Sequence, residues 1–173
     1  WATANVAAFT LAFEGNPRMV RVAALPTDGL LTAAIAMLET MKYDICCPVG
    51  LTEEDMGAFA TWAVTAYDTK RTHALYAVTA EATPDDPYLV WFAMDDIETA
   101  DDVYTAEEFL PRIAGIVAGL PLYQAPTYYV LKDVTDCPHL TRAQADAVIA
   151  AGKLVLYHDG EKVKIARGVN SLT

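Results

Sequence analysis

Few side chains in this 173-residue chain are of the types that do chemistry, and they are scattered: three histidines (His73, His139, His158) and three cysteines (Cys46, Cys47, Cys137). Cys137-Pro138-His139 could supply two metal ligands. No second pair lies near it in sequence and the proline between them suits a loop, so no metal site is assigned. Cys46 and Cys47 are adjacent in an apolar run. Neighbours on a strand point to opposite faces, so both read as small buried hydrophobes. An odd cysteine count without C-x-x-C spacing argues against a disulfide framework and fits a reducing compartment.

Asp95, Asp96, Glu98, Asp101 and Asp102 invite a calcium reading. Their spacing does not match a twelve-residue calcium loop, and the central glycine of that loop is missing, so a solvated acidic loop is expected. The sequence holds no G-x-G-x-x-G, no G-x-x-x-x-G-K-[ST] and no G-x-S-x-G. No catalytic, cofactor-binding or metal-binding residue is assigned. Gly115 and Gly119, four apart on one helix, let another surface approach closely, and packing on a sheet is the expected use. Trp62 lies off the apolar stripe of its helix. Contact with a neighbouring molecule and packing under a loop both remain open for it.

The chain that must position these residues is apolar enough, at 54%, to exclude a disordered polar chain. Its length suits one domain that buries roughly 70% of its unfolded surface. No apolar run reaches the ~18–20 residues of a membrane-spanning helix. The formal net charge of −11 would repel a phosphate backbone or an anionic bilayer, so nucleic acid and membrane are poor partners.

Along the chain, 3–13 reads as a helix with Val6, Phe9 and Phe13 on its apolar face, and 18–25 as a strand. Residues 27–41 form a second helix with Leu31, Ala34, Ile35 and Leu38 on one stripe, and 43–50 a buried strand. Thr52 caps a third helix, with Glu53, Glu54 and Asp55 in its first turn and Lys70 and Arg71 at its end. Its stripe is Met56, Phe59, Ala60, Ala63 and Tyr67. Strands follow at 72–80 and 88–94. Thr105 and Glu108 form a capping-box pattern before a helix that contains Pro111. Residues 127–134 read as a strand, and 140–153 as a helix capped by Thr141 and Gln144 and stopped at Gly152. Asp159-Gly160 predicts a two-residue turn pairing His158 with Glu161, Leu156 with Val163 and Leu154 with Ile165 on a buried face. Val155 and Tyr157 against Lys164 and Lys162 form the other face. Alternating strands and helices predict an α/β fold: a largely parallel or mixed sheet covered by helices on both faces, with a C-terminal antiparallel β-hairpin.

Three stretches, in order, carry a resemblance. They are YTAEEFLPRIAGIVAGLPL (104–122), TYYVLKDVTD (127–136) and VIAAGKLVLYHDGEKVKIARGVNSLT (148–173). Together they resemble the contractile tail sheath proteins of bacteriophages, prophage particles and phage-tail-like bacteriocins. Family members often carry a serine before the T-Y segment, where this chain has Ala125-Pro126. They also extend on both sides of this α/β body, so the resemblance implies that 1–173 is the single core domain of a longer subunit, here without its N-terminal region and C-terminal arm. It implies a structural, non-enzymatic subunit without cofactor that stacks as hexameric rings around a tail tube, contacts a baseplate, and contracts to drive the tube through a cell envelope. Localisation would be the virion tail, after assembly in the bacterial cytoplasm, and this fragment alone would be monomeric. The candidate assembly residues are Lys162, Lys164, Arg167 and Asn170 at the hairpin and its exit, with Trp62. The competing reading is a small flavodoxin-like α/β enzyme or ligand-binding domain, which needs a polar pocket at the carboxyl ends of the parallel strands.

Overall fold

Four short strands lie side by side in parallel in the order β1 (Ile45–Cys46), β2 (Leu75–Val78), β3 (Leu89–Phe92) and β8 (Lys153–Leu154). The computed structural model describes residues 3–23, 29–70, 74–79, 85–121, 123–168 and 170–171, with backbone only for 3–5 and 67–70. The two central strands, LYAV and LVWF, have no polar face because both sides are covered. On one side Tyr76, Val78 and Leu89 meet Met56, Phe59, Ala60 and Ala63 of helix α3 (Glu53–Lys70), with Leu38 of α2 (Leu30–Leu38) in the same cluster. On the other, Ala77, Val90 and Phe92 meet Phe109, Leu110, Ile113 and Ile116 of α4 (Ala106–Gly119). The alternation of strand side chains thus separates two cores. Cys46, the last residue of β1, packs against the first and Cys47, just beyond it, against the second.

Helix α1 (Thr3–Glu14) lies where a helix was expected, but turned the other way. Val6, Phe9 and Phe13 are exposed, whereas Leu11 and Ala12 are buried. The reason is α4. A Cβ on Gly115 would stand 2.0 Å from the Ala12 carbonyl oxygen, and one on Gly119 2.2 Å from that of Gly15. Gly115 and Gly119 therefore serve contact with the backbone of α1 rather than with the sheet. Only small residues allow such an approach, so Val6, Phe9 and Phe13 face outward while Leu11 alone of the large side chains described in α1 turns into the core.

Two three-stranded antiparallel sheets complete the fold. One has the order β5 (Val103–Tyr104), β4 (Ile97–Thr99), β7 (Val134–Asp136), and the other β6 (Val130–Leu131), β10 (Val163–Ile165), β9 (Leu156–His158). Several sequence expectations change here. The acidic loop contains the β4–β5 pair, pinned by the fully buried Ile97. The strand read over 127–134 is broken by a turn at Lys132 and Asp133 into β6 and β7, which join different sheets. No strand forms over 18–23, and residues 24–25 lie outside the described part. The strand read over 43–50 shrinks to Ile45–Cys46. Pro111 sits in the second turn of α4 and leaves the Glu107 carbonyl without its intrahelical donor.

Helix α5 (Arg142–Ala150) and both capping boxes form as their residues predict. From Lys153 the chain runs extended through β8, Val155 and β9, so one segment belongs to the parallel sheet and then to an antiparallel one. Val155 is the switch point, its carbonyl accepting from the Ala166 N–H at 2.9 Å.

Candidate assembly surface

The β9–β10 hairpin positions most of the residues singled out from sequence. Its observed register pairs His158 with Val163, Tyr157 with Lys164 and Leu156 with Ile165. The reversal is therefore centred on Gly160-Glu161, two residues in sum beyond the expected pairing. A slip by an even number keeps every side chain on its face, so Leu154, Leu156, Val163 and Ile165 are still buried together. Asp159 causes the change. Its Oδ1 accepts the N–H groups of Glu161 (3.0 Å) and Lys162 (2.8 Å), while its own N–H donates to the Lys162 carbonyl. The aspartate thus closes the turn with its side chain, and Gly160, at φ 102°, takes the bend.

Lys164 is committed inside this turn. Its ammonium pairs with Asp159 Oδ2, and that hydrogen bond, with those from Glu161 and Lys162, holds the Asp159 carboxyl far below the usual carboxylate range. The same partner raises Lys164. Lys162 and Arg167 are exposed. Asn170 is half-buried, donating from Nδ2 to the Pro87 carbonyl at 3.2 Å. Trp62 stands apart from all four: it packs on Phe59 and Tyr76, ring centroids 5.6 and 5.8 Å away, in the core cluster across the parallel sheet. It also borders a cleft of about 150 Å³ with Leu38, Met41 and Tyr43. Lys164 is thus tied to the hairpin turn and Asn170 to the segment before β3, while Trp62 belongs to the core cluster on α3.

Beside the hairpin sheet lies an ion pair that the sequence did not single out. Arg112, 2% exposed within α4, gives Nε and Nη2 to the two oxygens of Asp133 at 2.8 and 2.7 Å. Burial alone would raise the Asp133 carboxyl; the hydrogen bonds and charge of Arg112 outweigh it and hold the group low. The pair fastens α4 to the β6–β7 turn, and its signal in sequence was a lone arginine inside an apolar helix. Arg112 Nη1 is buried without a hydrogen-bond partner. A second missed feature is the outer ridge of α1, where Phe9 and Phe13 stack at 5.9 Å while 38% and 57% exposed.

The groups that could do chemistry remain apart or muted. His139 Nε2 lies 3.1 Å from Asp136 Oδ1, and its ring is 5.8 Å from that of His158. Burial pushes the thiols up, Cys137 to about 11 and Cys47 to about 12, so neither is a thiolate nucleophile near neutrality. Among the described residues no three His, Cys, Asp or Glu side chains are grouped to hold a metal ion. Among them, too, no helix is long and apolar enough to cross a membrane. His73 lies outside the described residues.

No family model matches the chain. A tail sheath protein of Clostridium phage phiCD119 is 29% identical over 158 residues, which is 91% of this chain and 44% of that protein. The chain thus spans less than half the length of this curated relative. Among solved structures, the sheath tail protein of Desulfitobacterium hafniense superimposes with a TM-score of 0.79 at 18% identity, over 89% of this chain and 38% of the other. The helical sheath of the anti-feeding prophage in its contracted state gives 0.62 at 15% identity, over 92% and 49%. The mixed α/β fold is that of the sheath proteins, and over nine-tenths of its length the chain is similar in sequence to a phage tail sheath protein.

Proposed function

We propose that this chain is the α/β body of a contractile tail sheath subunit, a structural element and not an enzyme. In this reading it polymerises with further copies around an inner tail tube, meets a baseplate at one end, and moves as a rigid unit when contraction drives the tube through a cell envelope. The observation that supports it most is the combination of 29% identity over 91% of the chain with a shared fold at a TM-score of 0.79. The 44% share of the relative's length supports a further part of the reading: residues 1–173 are the core domain of a longer subunit. The partners are other sheath subunits, tube protein and baseplate, with neither nucleic acid nor membrane, and the location is the virion tail after assembly in the bacterial cytoplasm. Lys162 and Arg167, exposed at the hairpin and its exit, are the candidate contacts. Lys164 and Asn170 act within the body and Trp62 belongs to the opposite core.

A rigid moving unit needs its sheet covered on both faces, as the parallel sheet is here by α3 and α4, and three of its helices start at a threonine cap, at Thr52, Thr105 and Thr141. Among the described residues, the cleft of about 340 Å³ gives the flavodoxin-like alternative no support: it is lined by Glu14, Arg112, Tyr129, Val130, Lys132 and Asp133, none of which follows a strand of the parallel sheet. Electron microscopy of the product of the whole reading frame tests the proposal: rings or tubes are expected, and a dispersed monomer at high concentration overturns it. Light scattering of residues 1–173 alone should give a monomer, because −11 per body opposes association.

A further inference from the structure

The chain does not leave the body when β10 ends. Past Ile165 it crosses back over the domain and is fastened at three successive places. The Gly168 N–H donates to Thr127 Oγ1 at 2.9 Å. Asn170 Nδ2 donates to the Pro87 carbonyl at 3.2 Å. Ser171, 2% exposed, is held by both backbone and side chain. Its N–H donates to the Leu89 carbonyl at 2.9 Å, its hydroxyl donates to the Asp86 carbonyl at 3.0 Å, and the hydroxyl oxygen accepts the Asp86 N–H at 3.1 Å. The α5–β8 turn leaves room for this. Gly152, at φ 76°, carries no Cβ where one would stand 2.8 Å from the Ser171 carbonyl oxygen.

We propose that residues 167–171 are a mechanical anchor, through which tension on the chain beyond Ser171 enters the parallel sheet at the start of β3 and the α5–β8 turn. The physical argument is where the bonds lie. If the tail were free after Ile165, tension would fall on the end of β10 and peel the hairpin one backbone bond at a time. With Ser171 tied to Asp86 and Leu89, the hairpin is shielded and the first groups to feel tension belong to the segment that opens β3. Several hydrogen bonds of modest individual strength then share the load in a small, water-excluded place. Ser171 is the positioning residue, since it bonds both Asp86 and Leu89. The anchor gives the proposed sheath function its point of force transfer and rests on that reading for its use, but its test does not require assembly.

Single-molecule pulling of the 173-residue chain tests it in two geometries: between a handle on Thr61 and the C-terminus, and between handles on Thr61 and Ala143, both exposed helix positions. Under C-terminal load the native chain should unfold without first releasing the roughly 17 Å of residues 167–171. Ser171→Ala should release that length in a separate event at lower force, and should leave the force between Thr61 and Ala143 unchanged. In the same variant the Asp86 amide should exchange at least tenfold faster while the amide of Ile113 keeps its rate. An early release in the native chain, an equal loss of force in both geometries, or no change in either would overturn the anchor. Failure of the whole reading frame to form tubes would instead count against the sheath function and leave the anchor standing.

Discussion

Helices α4 and α5 begin in the same way and end in opposite environments. Each opens with a threonine whose hydroxyl accepts the N–H three residues on, and whose own N–H is bound by the side chain there, Glu108 in one and Gln144 in the other. Yet α4 buries Ala106 and every residue from Phe109 to Ile116, and α5 buries none. The caps decide where a helix starts. What the rest of the molecule asks of it is decided elsewhere: by the sheet under α4, by the backbone of α1 across it, and by a charged side chain inside it. The charges of α5 lie in water, with Arg142 and Asp146 96% and 71% exposed and 3.8 Å apart. Such a pair adds little.

The contact between α4 and α1 should give the largest effect. Gly115→Ala puts a carbon 2.0 Å from the Ala12 carbonyl oxygen, against backbone that cannot rotate away. The helices must separate, at a cost of about 3 kcal/mol or more. Gly57→Ala in α3 is the control, since nothing lies within 4 Å of its Cβ position. There the change should stabilise by ~0.5–1 kcal/mol through better helix propensity. Urea melts of the two variants decide it, and equal stabilities would mean that α1 is not seated on α4 by close backbone approach.

Next comes the ion pair that marks α4 as buried. Asp133→Asn leaves Arg112 buried against a weaker partner and should cost about 2–3 kcal/mol, less than for a fully buried pair because Asp133 is partly exposed. Since the folded Asp133 carboxyl lies below its unfolded value, its stabilisation is complete above the unfolded pKa of about 3.9 and is lost as pH falls through the lower folded value. The gap between native chain and variant should therefore be level from pH 5 to 8 and close below about pH 4. In α5, Arg142→Ala should shift stability by less than ~0.5 kcal/mol at any of these pH values. Denaturant melts at pH 7, 4 and 2.5 separate the two cases. A gap that persists at pH 2.5 would show that the carboxylate charge is not what Arg112 needs.

What the sequence made legible follows the range of each interaction. Both capping boxes, the Thr52 cap, where the Asp55 N–H reaches Thr52 Oγ1 at 3.2 Å, and the stop at Gly152 were readable because partners lie within four residues. The buried faces of α3 and of the hairpin were readable because periodicity survives without knowledge of the partner. The hairpin register was not, because the Asp159 side chain replaced a backbone acceptor and moved the bend by one residue. The outward turn of Val6, Phe9 and Phe13 was not, because small residues had to face α4 and only the fold reveals that. The break of 127–134 into β6 and β7 was hidden as well: it depends on Asp133 reaching Arg112, 21 positions earlier. Among the candidate assembly residues, Lys162 and Arg167 are exposed, while Lys164 and Asn170 had partners that no local pattern showed.

The smallest effect is the sharpest test of the opening comparison, because it removes the same group from both helices. Thr105→Ala and Thr141→Ala each delete one side-chain acceptor for an N–H in the first turn, worth ~1 kcal/mol by local accounting. In α4 the whole loss should appear in global stability, since the helix cannot open without exposing Phe109, Leu110 and Ile113, all fully buried. In α5 the loss is bounded. With only Val148 and Ile149 half-buried against the core, the helix can unfold on its own, and once it does no further destabilisation of its cap reaches the rest of the domain. Thr105→Ala should therefore lower the unfolding free energy by ~1 kcal/mol and Thr141→Ala by less. The amides of Ala145 and Asp146 should meanwhile exchange roughly fivefold faster in Thr141→Ala, the factor that 1 kcal/mol represents. Equal global losses with no local change in exchange would show that α5 unfolds only with the body, and that exposure is no guide to how firmly this helix is held.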